Sequence, residues 1–191
     1  MTNVLAIDCS ADEAVVCAVK DGVFAERRSG KDKRHNGVLL GLADEVLTQL
    51  GARPSDFDAF GGVVGPGSFA GIRIGVASVK ALCLATDKPA VAIDSLELLA
   101  MGEGDCYAAI DARNGNYYAA QFVGGEMTDE KLTSGEELFA HGAKVVTERP
   151  EDIGRRLARL TAERAEKGEF DNALEPKYLR KSQAERMKDG D

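Results

Sequence analysis

The chain has 191 residues, enough for one large domain or two small lobes. Its apolar share of 44% is that of a globular protein, and a net charge of −8 argues against a nucleic-acid grip over the whole surface. With no charged leader before an apolar core and no membrane-length apolar run read in it, a cytoplasmic protein is expected. Four cysteines (Cys9, Cys17, Cys83 and Cys106) show no C-x-x-C spacing and sit in apolar patterns, so buried reduced thiols are expected.

Residues 3–8, closing on Ile7-Asp8, read as a strand. A second strand is predicted over 14–20, the Asp21-Gly22 pair makes a hairpin turn, and a third, more polar strand over 23–29 suits a sheet edge. Residues 31–34 form a basic loop. From His35 or Asn36 a helix runs to Leu50, where Gly51 ends it. Its stripe of Val38, Leu42, Val46 and Leu50, widened by Leu39, Ala43 and Leu47, suits two neighbours. A buried strand over 59–64 leads into the tight loop Gly65-Pro66-Gly67-Ser68, where Ser68 is placed to cap a helix to Thr86. That helix is apolar almost all round (Ile72, Ile74, Val76, Val79, Leu82, Cys83, Leu84). It therefore calls for cover on two sides: its own sheet and a second protein. A strand over 90–94 follows, then a short helix over 96–101 with Ser95 as its cap. This order suits a mixed five-stranded sheet with helices on its faces.

Residues 102–105 mark a lobe boundary, which divides the chain into 1–102 and a smaller 103–191. Two more strands are predicted, 106–110 and 117–123. Ala109-Ile110-Asp111 repeats the plan of Ala6-Ile7-Asp8: a strand ending in Asp, a polar turn, a returning strand. An internal duplication is implied. Beyond lie a short helix over 134–141, a short strand over 143–147, an amphipathic helix to 167 with Pro150 in its first turn, and a charged tail over 177–191.

A strand-end Asp with a hydroxyl two residues on can hold phosphate and orient metal-bound water, so Asp8, Ser10 and Asp111 form a vestigial phosphate-site candidate. The competing reading is that Asp is simply a common turn residue. The glycine loop is not a P-loop, since no G-K-[S/T] closes it. Gly65-x-Gly67-x-x-Ala70 nominally fits a dinucleotide fingerprint but follows a three-strand meander. Otherwise it is a tight turn, or part of an interface in which Gly71 and Gly75 admit another backbone and Arg73 anchors a carboxylate or phosphate. His35 and His141 complete no metal set, and no Ser-His-Asp order or nucleophile elbow is present. Arg27, Arg28, Lys31, Lys33 and Arg34 make a solvated loop or a contact for RNA phosphate or an acidic partner. The tail residues Lys177, Arg180, Lys181, Arg186 and Lys188 read the same way.

Five stretches together resemble the TsaB (YeaZ) family of bacterial tRNA threonylcarbamoyladenosine biosynthesis: Ile7 to Ser10, His35 opening a leucine-rich helix, Gly65 to Gly75, Asp111 to Tyr118, and Pro176 to Arg180. Cys9 and Ala70 depart from it, standing where Thr is expected. The resemblance implies two ribonuclease-H-like lobes of the actin-like ATPase superfamily, the second reduced. It implies a non-catalytic partner of TsaD, the paralogue that transfers threonylcarbamoyl to a tRNA adenosine beside the anticodon, with TsaE supplying ATPase activity. No nucleotide is expected to bind this chain tightly; ATP or ADP, where present, belongs at the partner interface. Alone, the chain is expected to pair with itself, to meet tRNA through the complex, and to use no membrane. The interface is expected on the first two helices and the glycine loop: His35, Leu39, Leu42, Val46, Gly67, Ser68, Phe69, Gly71, Ile72, Arg73, Gly75 and Val76. The alternatives are an independent actin-like ATPase or small-molecule kinase, which needs Asp8 for magnesium-dependent nucleotide binding, and a plain RNA-binding module.

Overall fold

The computed structural model describes residues 2–30, 35–140 and 142–179, with the backbone alone at residues 35 and 36. Lys31, Lys33, Arg34, His141, Arg180, Lys181, Arg186 and Lys188, all named above, lie outside the described residues, as does the side chain of His35. The first sheet holds β1 (Val4–Asp8), β2 (Val15–Lys20), β3 (Val23–Arg28), β4 (Ala59–Gly65) and β5 (Ala90–Asp94), in the order β3-β2-β1-β4-β5. β1 runs antiparallel to β2 and parallel to β4, so the sheet is mixed, as expected.

Alternation along the central strands sends side chains to two covered faces. Leu5, Ile7, Val16 and Phe60 meet Leu39, Leu42 and Val46 of α1 (His35–Leu50) and Ile72, Val76 and Val79 of α2 (Phe69–Thr86). On the other face Val4, Ala6, Cys17 and Ile93 meet Ile153, Leu157 and Ala158 of α5 (Ile153–Glu166). This helix follows the second lobe in sequence yet returns to the first sheet. Gly61 permits the approach: a methyl group there would overlap the Thr161 hydroxyl and stand 2.8 Å from Ala6 Cβ.

The second sheet has the order β8-β7-β6-β9, built from β6 (Cys106–Arg113), β7 (Asn116–Val123), β8 (Glu126–Ser134) and β9 (Val145–Val146). The sequence reading missed β8. Its nine residues are mostly exposed and charged on both faces, and the Gly124-Gly125 turn was its one clear signal. Between the sheets lies α3 (Ser95–Ala100), with Leu98 in the first core and Leu96 and Leu99 against Cys106, Ala108, Ala120 and Phe122. α4 (Gly135–Ala140) places Leu138 on the other face of the second sheet. The cap of α3 is Asp94 rather than Ser95: its carboxylate accepts from the Leu96 N–H at 2.7 Å, and Glu97 completes a capping box.

The chain then straps back across the first lobe. Asp171 N–H donates to the Ala90 carbonyl at 2.9 Å, Leu174 is fully buried over Gly62, and Lys177 N–H donates to the Val64 carbonyl at 2.8 Å.

α2 amends the expectation that no apolar run is long enough to span a membrane. Its 18 residues are long and apolar enough by length and composition. Here, however, they cover a sheet: Gly71, Ile72, Gly75, Val76 and Val79 are buried.

Candidate functional site

The ends of β1, β4 and β5, the β6–β7 turn and the strap enclose a cleft of about 1400 Å³. Asp8, Ser10 and Asp111, proposed from the sequence, all line it. Each Asp closes the same small turn. Asp8 Oδ1 accepts from Ser10 N–H at 2.8 Å, and Asp111 Oδ1 accepts from Arg113 N–H at 2.7 Å. The glycine loop packs on the first of these turns. Ser68 N–H donates to the Ser10 carbonyl at 2.7 Å, and Gly67, at φ +156°, leaves no room for a Cβ against that carbonyl. Ser68 Oγ then caps α2, accepting from Gly71 N–H at 3.3 Å.

Arg149, which sequence spacing gave no reason to choose, completes the site. Its Nη2 donates to Asp8 Oδ2 at 2.5 Å, and Asp8 is only 2% exposed. Both Asp8 oxygens are therefore engaged by the chain itself. In the fold the resemblance implied, a magnesium-bound nucleotide sits between the strand-end aspartates. These residues do not fit that group: the carboxylate that would face the metal's water shell already holds a guanidinium. Among the described residues no cluster of His, Cys, Asp and Glu is arranged to hold a metal. Cys9, next in sequence to Asp8, is no nucleophile either. Burial, then the neighbouring Asp8 charge, pushes its thiol up to about 12.

At the far side, Lys177 Nζ bonds Asp94 at 2.8 Å and Glu130 of β8 at 2.5 Å, which ties the strap to both lobes. Partial burial pulls the Lys177 ammonium down, but the hydrogen bonds with Asp94 and Glu130 outweigh it and hold it above its ordinary value. The basic cluster near β3 is also partly consumed: Arg27 pairs with Glu45, and Arg28 with Glu13 and Glu26.

The expected interface requires correction. Leu39, Leu42, Val46, Gly71, Ile72, Gly75 and Val76 belong to the chain's own core and face its sheet. Gly75 faces Cys9 of the chain itself, at a distance where a Cβ would make an ordinary contact of 3.5 Å. Of the expected set, Ser68, Phe69 and Arg73 are exposed, and Gly67 is half-buried. The outward face is a different stripe. On α1 it carries Gly37, Leu40 and Gly41; on α2 it carries Phe69, Arg73, Ala77, Ala81 and Leu84. Leu40 is 81% exposed and Leu84 88%.

The comparisons with known proteins agree with this architecture. A family model described as "TsaD: tRNA N6-adenosine threonylcarbamoyltransferase" matches residues 22–171. The tRNA threonylcarbamoyladenosine biosynthesis protein TsaB of Escherichia coli K12 is 28% identical over 167 residues, covering 84% of this chain and 68% of the relative. A tRNA N6-adenosine threonylcarbamoyltransferase of Anaeromyxobacter dehalogenans is 34% identical over 114 residues, or 51% of this chain, and the match spans only 34% of the transferase. A Pseudomonas aeruginosa crystal structure, described as an uncharacterized protein with similarity to peptidase YeaZ, is 25% identical. It superposes with a TM-score of 0.81 over 94% of this chain and all of that one. The chain belongs to the threonylcarbamoyltransferase family matched over residues 22–171, on its TsaB (YeaZ) branch.

Proposed function

We propose that this chain is a partner subunit in the tRNA threonylcarbamoyladenosine pathway, docking on a TsaD-like transferase through the outward face of α1 and α2. The observation that carries this reading is the pair Gly37 and Gly41. Gly41 lies inside α1 and Gly37 in its first turn, and a Cβ added at either meets none of the described residues within 4 Å. Glycine in a helix interior costs about 1 kcal/mol relative to alanine, and here the chain's own packing does not require it. Beside the small residues Ala77 and Ala81 and the exposed Leu40 and Leu84, these glycines leave a shallow apolar face that another backbone can approach closely.

The chain does no transfer chemistry of its own in this reading. Asp8 is held by Arg149, and no magnesium–nucleotide complex is bound tightly there; ATP or ADP belongs at the interface with the catalytic partner. TsaE-like ATPase activity and tRNA reach this chain through the assembly, and in the partner's absence the same face pairs two copies. The independent-ATPase reading loses support because both Asp8 oxygens already have donors.

Leu84→Glu and Leu40→Glu test the reading. Each should leave the fold intact and weaken binding to the transferase at least tenfold by calorimetry, since a charge is placed in a dry contact. Unchanged affinity in both variants would remove this face from the interface. Val76→Glu is not equivalent: it places a carboxylate in the core and should unfold the chain.

A further inference from the structure

Two stretches singled out in the sequence, the glycine loop and the segment opening at Pro176, pack against each other. Lys177 N–H donates to the Val64 carbonyl at 2.8 Å. A Cβ at Gly65 would stand 2.9 Å from the Lys177 carbonyl oxygen, so a side chain there would push the strap away. The next residue, Tyr178, lies on the start of α2. Its ring centre is 5.0 Å from that of Phe69, the two planes tilted by 32°. Arg73 completes the stack. Its guanidinium lies 4.0 Å from the Phe69 ring centre and 5.7 Å from that of Tyr178, and its Nε donates to the Tyr178 hydroxyl at 2.8 Å.

This stack is the first step of the outward stripe. Phe69, Arg73, Ala77 and Ala81 recur every fourth residue along α2, and Leu84 continues the line. Phe69 is 40% exposed and Tyr178 42%, so two aromatic rings stand half in water at one end of that face. The strap sets Tyr178 there in advance: Leu174 is fully buried, and Lys177 is tied to Asp94 and Glu130. Aromatic and arginine side chains held in place before contact are the usual anchors of protein interfaces.

The charge says what must meet them. Arg73 has no carboxylate partner among the described residues, and its Nε is taken by Tyr178. Stacking fixes the guanidinium plane and leaves the fork of terminal nitrogens for an acceptor. A partner that covers this end of the stripe buries the charge, and a buried charge left unpaired is costly. A carboxylate matches the fork with two parallel hydrogen bonds.

We infer that Tyr178 of the strap belongs to the docking face, and that the Phe69–Arg73–Tyr178 stack receives an aspartate or glutamate side chain of the transferase partner. The inference rests on the docking reading above. It adds to that reading a residue outside α1 and α2, and the chemistry of the group that residue helps to hold.

Calorimetric titration of the full chain with the TsaD-like transferase of its own cell, at several NaCl concentrations, tests it. Arg73→Gln should weaken binding about tenfold at low salt and flatten its salt dependence, because one ion pair fewer is screened. Tyr178→Ala should weaken binding by about as much, and Tyr178→Phe, which keeps the stack, by less. All three change exposed positions and should keep the parent's midpoint in urea. Parent affinity or tighter binding in Tyr178→Ala would remove the strap from the face. Parent salt dependence in Arg73→Gln would remove the carboxylate. An Arg73→Gln chain altered in self-association but not in transferase affinity would make the occupant a second copy, and the inference would fall. Leu84→Glu separates the two readings. Binding lost in Leu84→Glu but kept in Arg73→Gln and Tyr178→Ala overturns this inference alone. Binding absent in the parent, or unaffected by both Leu84→Glu and Leu40→Glu, overturns the docking reading and this inference with it.

Discussion

The two lobes follow one plan and use it differently. In each, a strand with Asp at or near its C-terminal end pairs antiparallel with the next strand and parallel with a later one: β1 with β2 and β4, β6 with β7 and β9. In each, the Asp carboxylate accepts the N–H two residues on. The first lobe then adds a fifth strand and helices on both faces, so Asp8 ends up buried against Arg149. The second stops at a two-residue β9 and a six-residue α4, and Asp111 remains exposed. A shared backbone motif therefore fixes where the carboxylates sit, while the packing around them decides what they can do.

The sharpest way to break that comparison is to disarm each aspartate in turn. Arg149→Met leaves the buried Asp8 charge uncompensated and should cost about 3–5 kcal/mol of stability in urea unfolding. Asp111→Asn, at the exposed counterpart, should stay within about 1 kcal/mol. Similar losses in the two variants would mean that the lobes are more alike than their packing indicates.

A smaller effect is expected where the lobes join. Lys177→Met should cost about 1–3 kcal/mol, because Asp94 and Glu130 lose their shared cation. The Lys177 ammonium is held above its ordinary value, so its contribution is complete below the unfolded-state value near 10.4. It is lost as pH rises through the higher folded value. The stability gap between parent and variant should thus be flat from pH 7 to about 10 and shrink above that. A gap that shrinks between pH 5 and 7 would point to another group.

Smaller still is the effect of Gly41→Ala, which should stabilise the free chain by up to about 1 kcal/mol through helix propensity while weakening docking. A gain in both properties would deprive the glycine of its proposed purpose. The thiols mark the interior of the first lobe at the smallest scale. Burial raises both Cys9 and Cys17, so neither should alkylate at pH 8 until the chain is unfolded.

Much of the first lobe was legible in the sequence because its signals are local. Alternating strands, the Asp21-Gly22 turn and the Gly51 stop sit where they were read, and both turn positions have positive φ. The site was only half legible. Asp8, Ser10 and Asp111 were found from a repeated motif, but Arg149 meets Asp8 from 141 positions away, which no spacing rule reaches. The return of α5 to the first sheet was hidden for the same reason. Of the residues expected at an interface, most face the chain's own core, and the exposed stripe of the same two helices is a different one. On α2 the cue was size: branched Ile72, Val76 and Val79 face inward, while Ala77 and Ala81 face outward with Leu84.

The most direct test of the partner-subunit account is the solution mass of the chain, alone and mixed with the TsaD-like transferase of its own cell, by light scattering on a sizing column. The account predicts a one-to-one complex that forms with the parent chain and fails with Leu84→Glu. A chain that ignores the transferase, and instead binds magnesium–nucleotide tightly through Asp8, would contradict it.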